Sequence, residues 1–149
     1  MSNDDANPET NVEPLAVGQS AERTFEVTDA RVRAFAEVSG DINPVHLDEA
    51  YAAKTIFRGR VAHGMLLGGF ISAVMANQLP GPGSIYQGQT LEFLLPVRIG
   101  DTVTVRVTVT SIDGPRATLE TLCFVGDKLV AKGEAQAIPP RRRRARTAE

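Results

Sequence analysis

The 149-residue chain predicts one α+β domain, an antiparallel sheet of about five strands wrapped around a single long central helix. Three observations predict it. Helix signals fill the first half of the chain and strand signals the second, rather than alternating as βαβ units would. The segment GMLLGGFISAVMANQLPG is apolar almost all round, as a helix buried on every side would be. From Ser84 onward the pattern switches to period two: in TVTVRVTVT, Val103, Val105, Val107 and Val109 face one side while the threonines and Arg106 face the other.

A short strand is expected near 23–27. Thr28 then suits an N-cap for DARVRAFAEVSG, where Val32, Phe35, Ala36 and Val38 form an apolar stripe and Gly40 supplies a stop. The turn-rich GDINPVH follows, then a second short helix over 48–54 and an irregular loop, TIFRGRVAH. The central helix, about 16 residues, is closed by Pro80-Gly81-Pro82-Gly83. Four strand-like segments complete the sheet: SIYQGQTLEFLLPV, DTVTVRVTVTSID, RATLETLCFV and KLVAKGEAQAI. Turns at Gly100-Asp101, Asp113-Gly114-Pro115 and Gly126-Asp127 join them. No internal repeat is visible, so one copy of the fold is expected.

Composition narrows the function classes. With 42% hydrophobic and 23% charged residues, 15–138 reads as one globular domain. No apolar run approaches the length of a membrane span, and MSNDDANPET lacks a secretory pattern, so a soluble cytoplasmic protein is expected. The single cysteine, Cys123, sits in an apolar run and reads as a structural thiol. Two histidines and one cysteine show no zinc-ligand spacing, and no calcium loop is present, so no metal is expected. The net charge of −2 hides two opposite ends: 1–14 reads as an acidic disordered segment, and 139–149 as a disordered tail carrying RRRRAR. The arginine run has no interleaved aromatics, and a solvated tail is favoured over a nucleic-acid or membrane contact.

Two short segments carry chemistry. Asp41-Ile42-Asn43-Pro44-Val45-His46 brings an acid and an imidazole together across a proline-restricted turn, a pair suited to holding a water and exchanging protons with it. The same six residues could also be only a turn shaped by Asp41 and Asn43. Ala62-His63-Gly64-Met65 stands where a loop meets the start of the central helix. There the first N–H groups lack partners, and Gly64 would let a carbonyl oxygen approach its own N–H, unless it is a packing glycine. His63 reads as a residue that fixes this loop. Together the segments supply what is needed to add water across a carbon–carbon bond conjugated to a carbonyl.

SGDINPVHLDEAYA, VAHGMLLGGFIS and LPGPGSIYQGQTLEFLLPVRIGDTVTV resemble the MaoC-like (R)-specific enoyl-CoA hydratases, in register over about 17–137. The resemblance implies the hotdog fold and reversible syn addition of water to trans-2-enoyl-CoA, giving (R)-3-hydroxyacyl-CoA. It implies Asp41 and His46 as catalytic dyad and Gly64 N–H as the thioester-oxygen donor; which dyad member takes the water's proton is open from sequence, and Asp41 is assigned as principal base. Ser72 is expected to orient the aspartate or the water, and Asn43 to shape the loop. It implies no cofactor, a homodimer, and a place in fatty-acid or polyhydroxyalkanoate metabolism. Alternatives are a (3R)-hydroxyacyl-acyl carrier protein dehydratase, a hotdog thioesterase and a non-catalytic partner subunit. Arg58 and Arg60 could meet the phosphates of either carrier or serve only as exposed solubilising charges.

Overall fold

The computed structural model describes residues 14–140. Its sheet is built outward from one strand. In β4 (Thr102–Asp113) the four valines are at most 1% exposed, so one whole face of the strand lies in the core. Each such side chain contributes about 1.5–3 kcal/mol of burial. On one side β4 pairs antiparallel with β1 (Ser20–Glu26), Phe25 opposite Val103. On the other it pairs with β5 (Arg116–Val125), which pairs with β6 (Lys128–Ile138).

The expected fifth strand is two strands, giving six. β2 (Ile85–Gln89) and β3 (Glu92–Phe93) both pair with β6, in the overall order β1-β4-β5-β6-β2. The break has a physical cause at Gly133 of β6. A Cβ there would lie 1.8 Å from the Thr90 carbonyl oxygen, so the chain crosses β6 at a closeness only glycine permits and leaves the ladder between β2 and β3.

Four helices complete the described residues: α1 (Asp29–Ser39), α2 (Pro44–Leu47), α3 (Glu49–Ala53) and α4 (Gly64–Asn77). Thr28 caps α1 through its Oγ1, which accepts the Arg31 N–H at 3.1 Å, and Gly40 ends it with φ 79° while donating its N–H to Ala36. Val32 and Ala36 are buried, but Val38, expected on the same stripe, is 82% exposed. α2 forms where only a turn was expected, because Asn43 caps it and Pro44 supplies a helix-ready first residue. α3 sits within the expected 48–54, capped by Asp48.

α4 is 14 residues long and packs on β4 and β1, with the Phe70 ring stacked on Phe25 at 4.4 Å. It is not buried on every side. Leu67, Ile71, Val74 and Met75 face the core, while Met65, Gly69 and Ser72 form an open face in the single chain. Among the described residues no helix is long and apolar enough to cross a membrane. Except for Pro14, Pro139 and Pro140, the expected disordered segments 1–14 and 139–149 lie outside the described residues.

Candidate active site

The loop from α1 to α2 is shaped by a ladder of side-chain caps. Ser39 Oγ accepts the Asp41 N–H at 3.1 Å, Asp41 Oδ1 accepts the Asn43 N–H at 3.3 Å, and Asn43 Oδ1 accepts the Val45 N–H at 3.1 Å. Each bond is local, two residues apart, and together they turn the chain so that α2 presents His46 beside Asp41. Asn43 therefore shapes the loop by capping α2.

His46 is pinned from across the site. Its Nδ1 lies 2.8 Å from the Val61 carbonyl oxygen, which only accepts, so Nδ1 carries the proton and Nε2 is the nitrogen left for chemistry. Val61 is itself held, its N–H donating to the Val45 carbonyl and its strand-like pairing running to Arg98. Arg60 adds a second strap: Nε–H donates to the His46 carbonyl and an Nη–H to Asp29 Oδ1, both at 2.7 Å. The Arg60 guanidinium, with Arg33 second, holds the Asp29 carboxyl below its ordinary value. Arg60, a candidate for meeting substrate phosphates, is thus committed within the protein with its side chain only 12% exposed; Arg58 stays exposed, at φ 58°.

His63, immediately before α4, is buried and stacks on His46 with ring centroids 3.8 Å apart. Ligand-type atoms of Asp41, His46 and His63 all lie within 4.8 Å of one another. That spacing allows one water to bridge an acid and an imidazole. It suits a metal less well. A ring nitrogen binds a metal in its own plane at about 2.0–2.1 Å, and two rings stacked within 30° of parallel aim at no common point.

A cavity of about 430 Å³ opens over the start of α4, lined by Asn43, His46, His63, Gly64 and Leu67 and, from the far side, by Phe93, Leu94 and Leu95. His63 precedes α4 without a side-chain cap, and Gly64, the first residue of the helix, lines this space at the positive end of the helix dipole, while the Leu66 N–H is taken by the His63 carbonyl. A Cβ on Gly64 would fall 2.9 Å from the Phe93 ring, so the glycine keeps this approach open. Asp41 lies at the edge rather than among the lining residues. Ser72 is not gathered: it is exposed on α4, outside the cavity, with no hydrogen bond to Asp41 among the described residues. The buried Cys123 thiol is pushed up to about 12 by burial and is inert, in line with a structural role.

A six-stranded antiparallel sheet with α4 packed on β4 and β1, and an acid–imidazole pair beside the start of that helix, defines a hotdog-fold domain with a candidate acid–base site. Residues 12–133 match the family described as "MaoC like domain", and the chain belongs to this MaoC-like family. An (R)-specific enoyl-CoA hydratase of Rhodospirillum rubrum is 48% identical over 132 residues, which cover 87% of this chain and 92% of that one. A solved structure, the (R)-hydratase from A. caviae involved in PHA biosynthesis, superposes with a TM-score of 0.82 at 48% identity, over 85% of this chain and 98% of that one. A mitochondrial 3-hydroxyacyl-[acyl-carrier-protein] dehydratase of Arabidopsis thaliana is 33% identical over 132 residues, covering 85% of this chain and 78% of that one.

Proposed function

We propose that the protein is an (R)-specific enoyl-CoA hydratase, a hydro-lyase that adds water reversibly to trans-2-enoyl-CoA and gives (R)-3-hydroxyacyl-CoA. The observation that carries this is the gathering of Asp41 and His46 within reach of one water, beside an apolar-walled cavity that His46 and Gly64 line. In this reading a water donates one hydrogen bond to the Asp41 carboxylate and one to His46 Nε2, which leaves an oxygen lone pair for C3 of the enoyl chain. As the C–O bond forms, Asp41 takes the proton and the C2=C3 electrons move toward the thioester carbonyl. The Gly64 N–H and the helix dipole stabilise the resulting oxyanion. The proton then passes from Asp41 to C2 on the same face, so that H and OH add syn and the site returns to its starting state.

The reading carries with it a cytoplasmic enzyme without metal or redox cofactor, acting as a homodimer on acyl-CoA. CoA is favoured over a carrier protein because the relative named for CoA is 48% identical and the one named for the carrier protein 33%. The test is incubation of the purified protein with crotonyl-CoA. Loss of enone absorbance with (R)-3-hydroxybutyryl-CoA on chiral analysis is expected. Release of free thiol with the enone intact would make the protein a thioesterase, and a large kcat/KM preference for carrier-protein thioesters would make it the dehydratase.

A further inference from the structure

One side chain outside the proposed dyad touches both of its members. His63 is 1% exposed, its Nε2 lies 2.9 Å from the backbone oxygen of Asp41, and its ring stacks on His46 at 3.8 Å. It is also the residue from which α4 and Gly64 begin. We infer that His63 is a positioning residue for the proposed hydration, acting through Asp41 and His46 by fixing where the loop carbonyl and the imidazole plane lie.

Three features of the ring support this. Asp41 sits on an exposed loop whose side-chain bonds are all local, so the His63 contact, reaching 22 residues along the chain, is the bond that ties its backbone to the helix start. The His46 ring is bonded at one atom only, Nδ1, and a single bond leaves the ring free to swing about it. The flat face of His63 blocks that swing, and Phe35 backs His63 in turn, its ring tilted at 57° and 4.8 Å away.

The third feature separates positioning from packing. Because a carbonyl only accepts, His63 Nε2 carries the proton, and Nδ1 is left with a buried lone pair that has no partner among the described residues. A buried unpartnered nitrogen costs stability. Phenylalanine would fill the same space without that cost, so packing alone does not account for an imidazole; donation from Nε2 to Asp41 does.

The inference rests on the hydratase reading, and the variants are chosen to divide the two roles. His63→Phe keeps a ring against His46 and removes the donor; His63→Gln keeps a donor at the reach of Nε2 and removes the ring. Since misplacing a reacting group by about 1 Å costs on the order of 10²-fold, His63→Phe should lower kcat on crotonyl-CoA by roughly 10- to 100-fold with KM within about twofold, and His63→Gln should recover to within about fivefold of the parent. Nitrogen-15 spectra of the parent's rings should show His46 protonated at Nδ1 and His63 at Nε2, and His46 signals should shift or broaden in His63→Gln, which lacks the stacked ring. A parent inactive on enoyl thioesters would remove the hydratase reading, while the ring spectra would still decide the positioning. A His63→Phe variant with kcat within about twofold of the parent, a His63 ring protonated at Nδ1, or a His63→Gln variant as impaired and as thermally unstable as His63→Phe would each overturn it.

Discussion

At the scale of single residues, Asp41 and His46 are brought together by local capping bonds, while the contacts that hold them in place come from further along the chain. Asp41, Asn43 and His46 declare themselves in sequence because each lies within three positions of Pro44 in a turn, and short-range capping is a local matter that spacing reveals. His63 was read only as a loop-fixing residue. Its contacts run to Asp41 and His46, which lie 22 and 17 positions away, and no local pattern encodes a contact of that range. The same reason explains Arg60, whose partner Asp29 is 31 residues distant. The dyad itself is open to a direct check. Asp41→Asn removes the base and His46→Gln removes the Nε2 lone pair, and loss of general acid–base catalysis is worth roughly 10²- to 10⁴-fold. Each variant should therefore hydrate crotonyl-CoA at least about 100-fold more slowly, with circular dichroism unchanged. Activity near that of the parent in either one would show that water is held elsewhere.

At the scale of elements, α1, α3, α4 and the four long segments of sheet follow from periodicity and caps, whereas the split of the fifth strand does not. Gly133 reads in sequence as one small residue in an otherwise regular strand; only the approach of Thr90 shows why it is small. The open face of α4 escaped for a related reason. A helix that is apolar all round looks alike whether its second side meets its own chain or another. Gly64 and Gly133 give two contrasting expectations. An alanine Cβ at position 64 meets Phe93 at 2.9 Å, but that ring is half exposed and free to turn, so Gly64→Ala should fold. Alanine keeps the backbone N–H but sets a methyl group in the way of the thioester oxygen, so the cost falls on activity, up to about 10²- to 10³-fold in kcat, the size of an oxyanion donor put out of reach. At position 133 the obstacle is backbone, at 1.8 Å, with nothing free to turn. Gly133→Ala should cost about 3 kcal/mol or more in urea unfolding, and a melting curve matching the parent would mean that the β2–β3 crossing is looser than described.

At the scale of the whole molecule, the two edges of the sheet are unlike. β1 carries Glu22, Arg23 and Glu26, and charge on an edge strand discourages pairing with a further strand. The edge strand β2, Ile85–Gln89, carries no charge and leaves Ile85 57% exposed. Close by, the cavity wall formed by Phe93, Leu94 and Leu95 is 43–50% exposed, so the apolar side of the proposed site is unfinished in one chain. The outward face of α4 is uncovered too, with Met65 57% exposed. A second copy meeting β2 edge to edge would cover the strand and close the cavity, which is why the proposed homodimer belongs with the site rather than beside it. Sedimentation of the parent should give twice the chain mass at micromolar concentration. Ile85→Lys places a like charge on both edges where they would meet, since a two-fold contact repeats each residue. That variant should sediment as single chains and lose most activity, although position 85 touches none of the reacting groups. A dimer that survives Ile85→Lys with full activity would move the contact to another surface, and a fully active single chain would show that the cavity is complete without a partner.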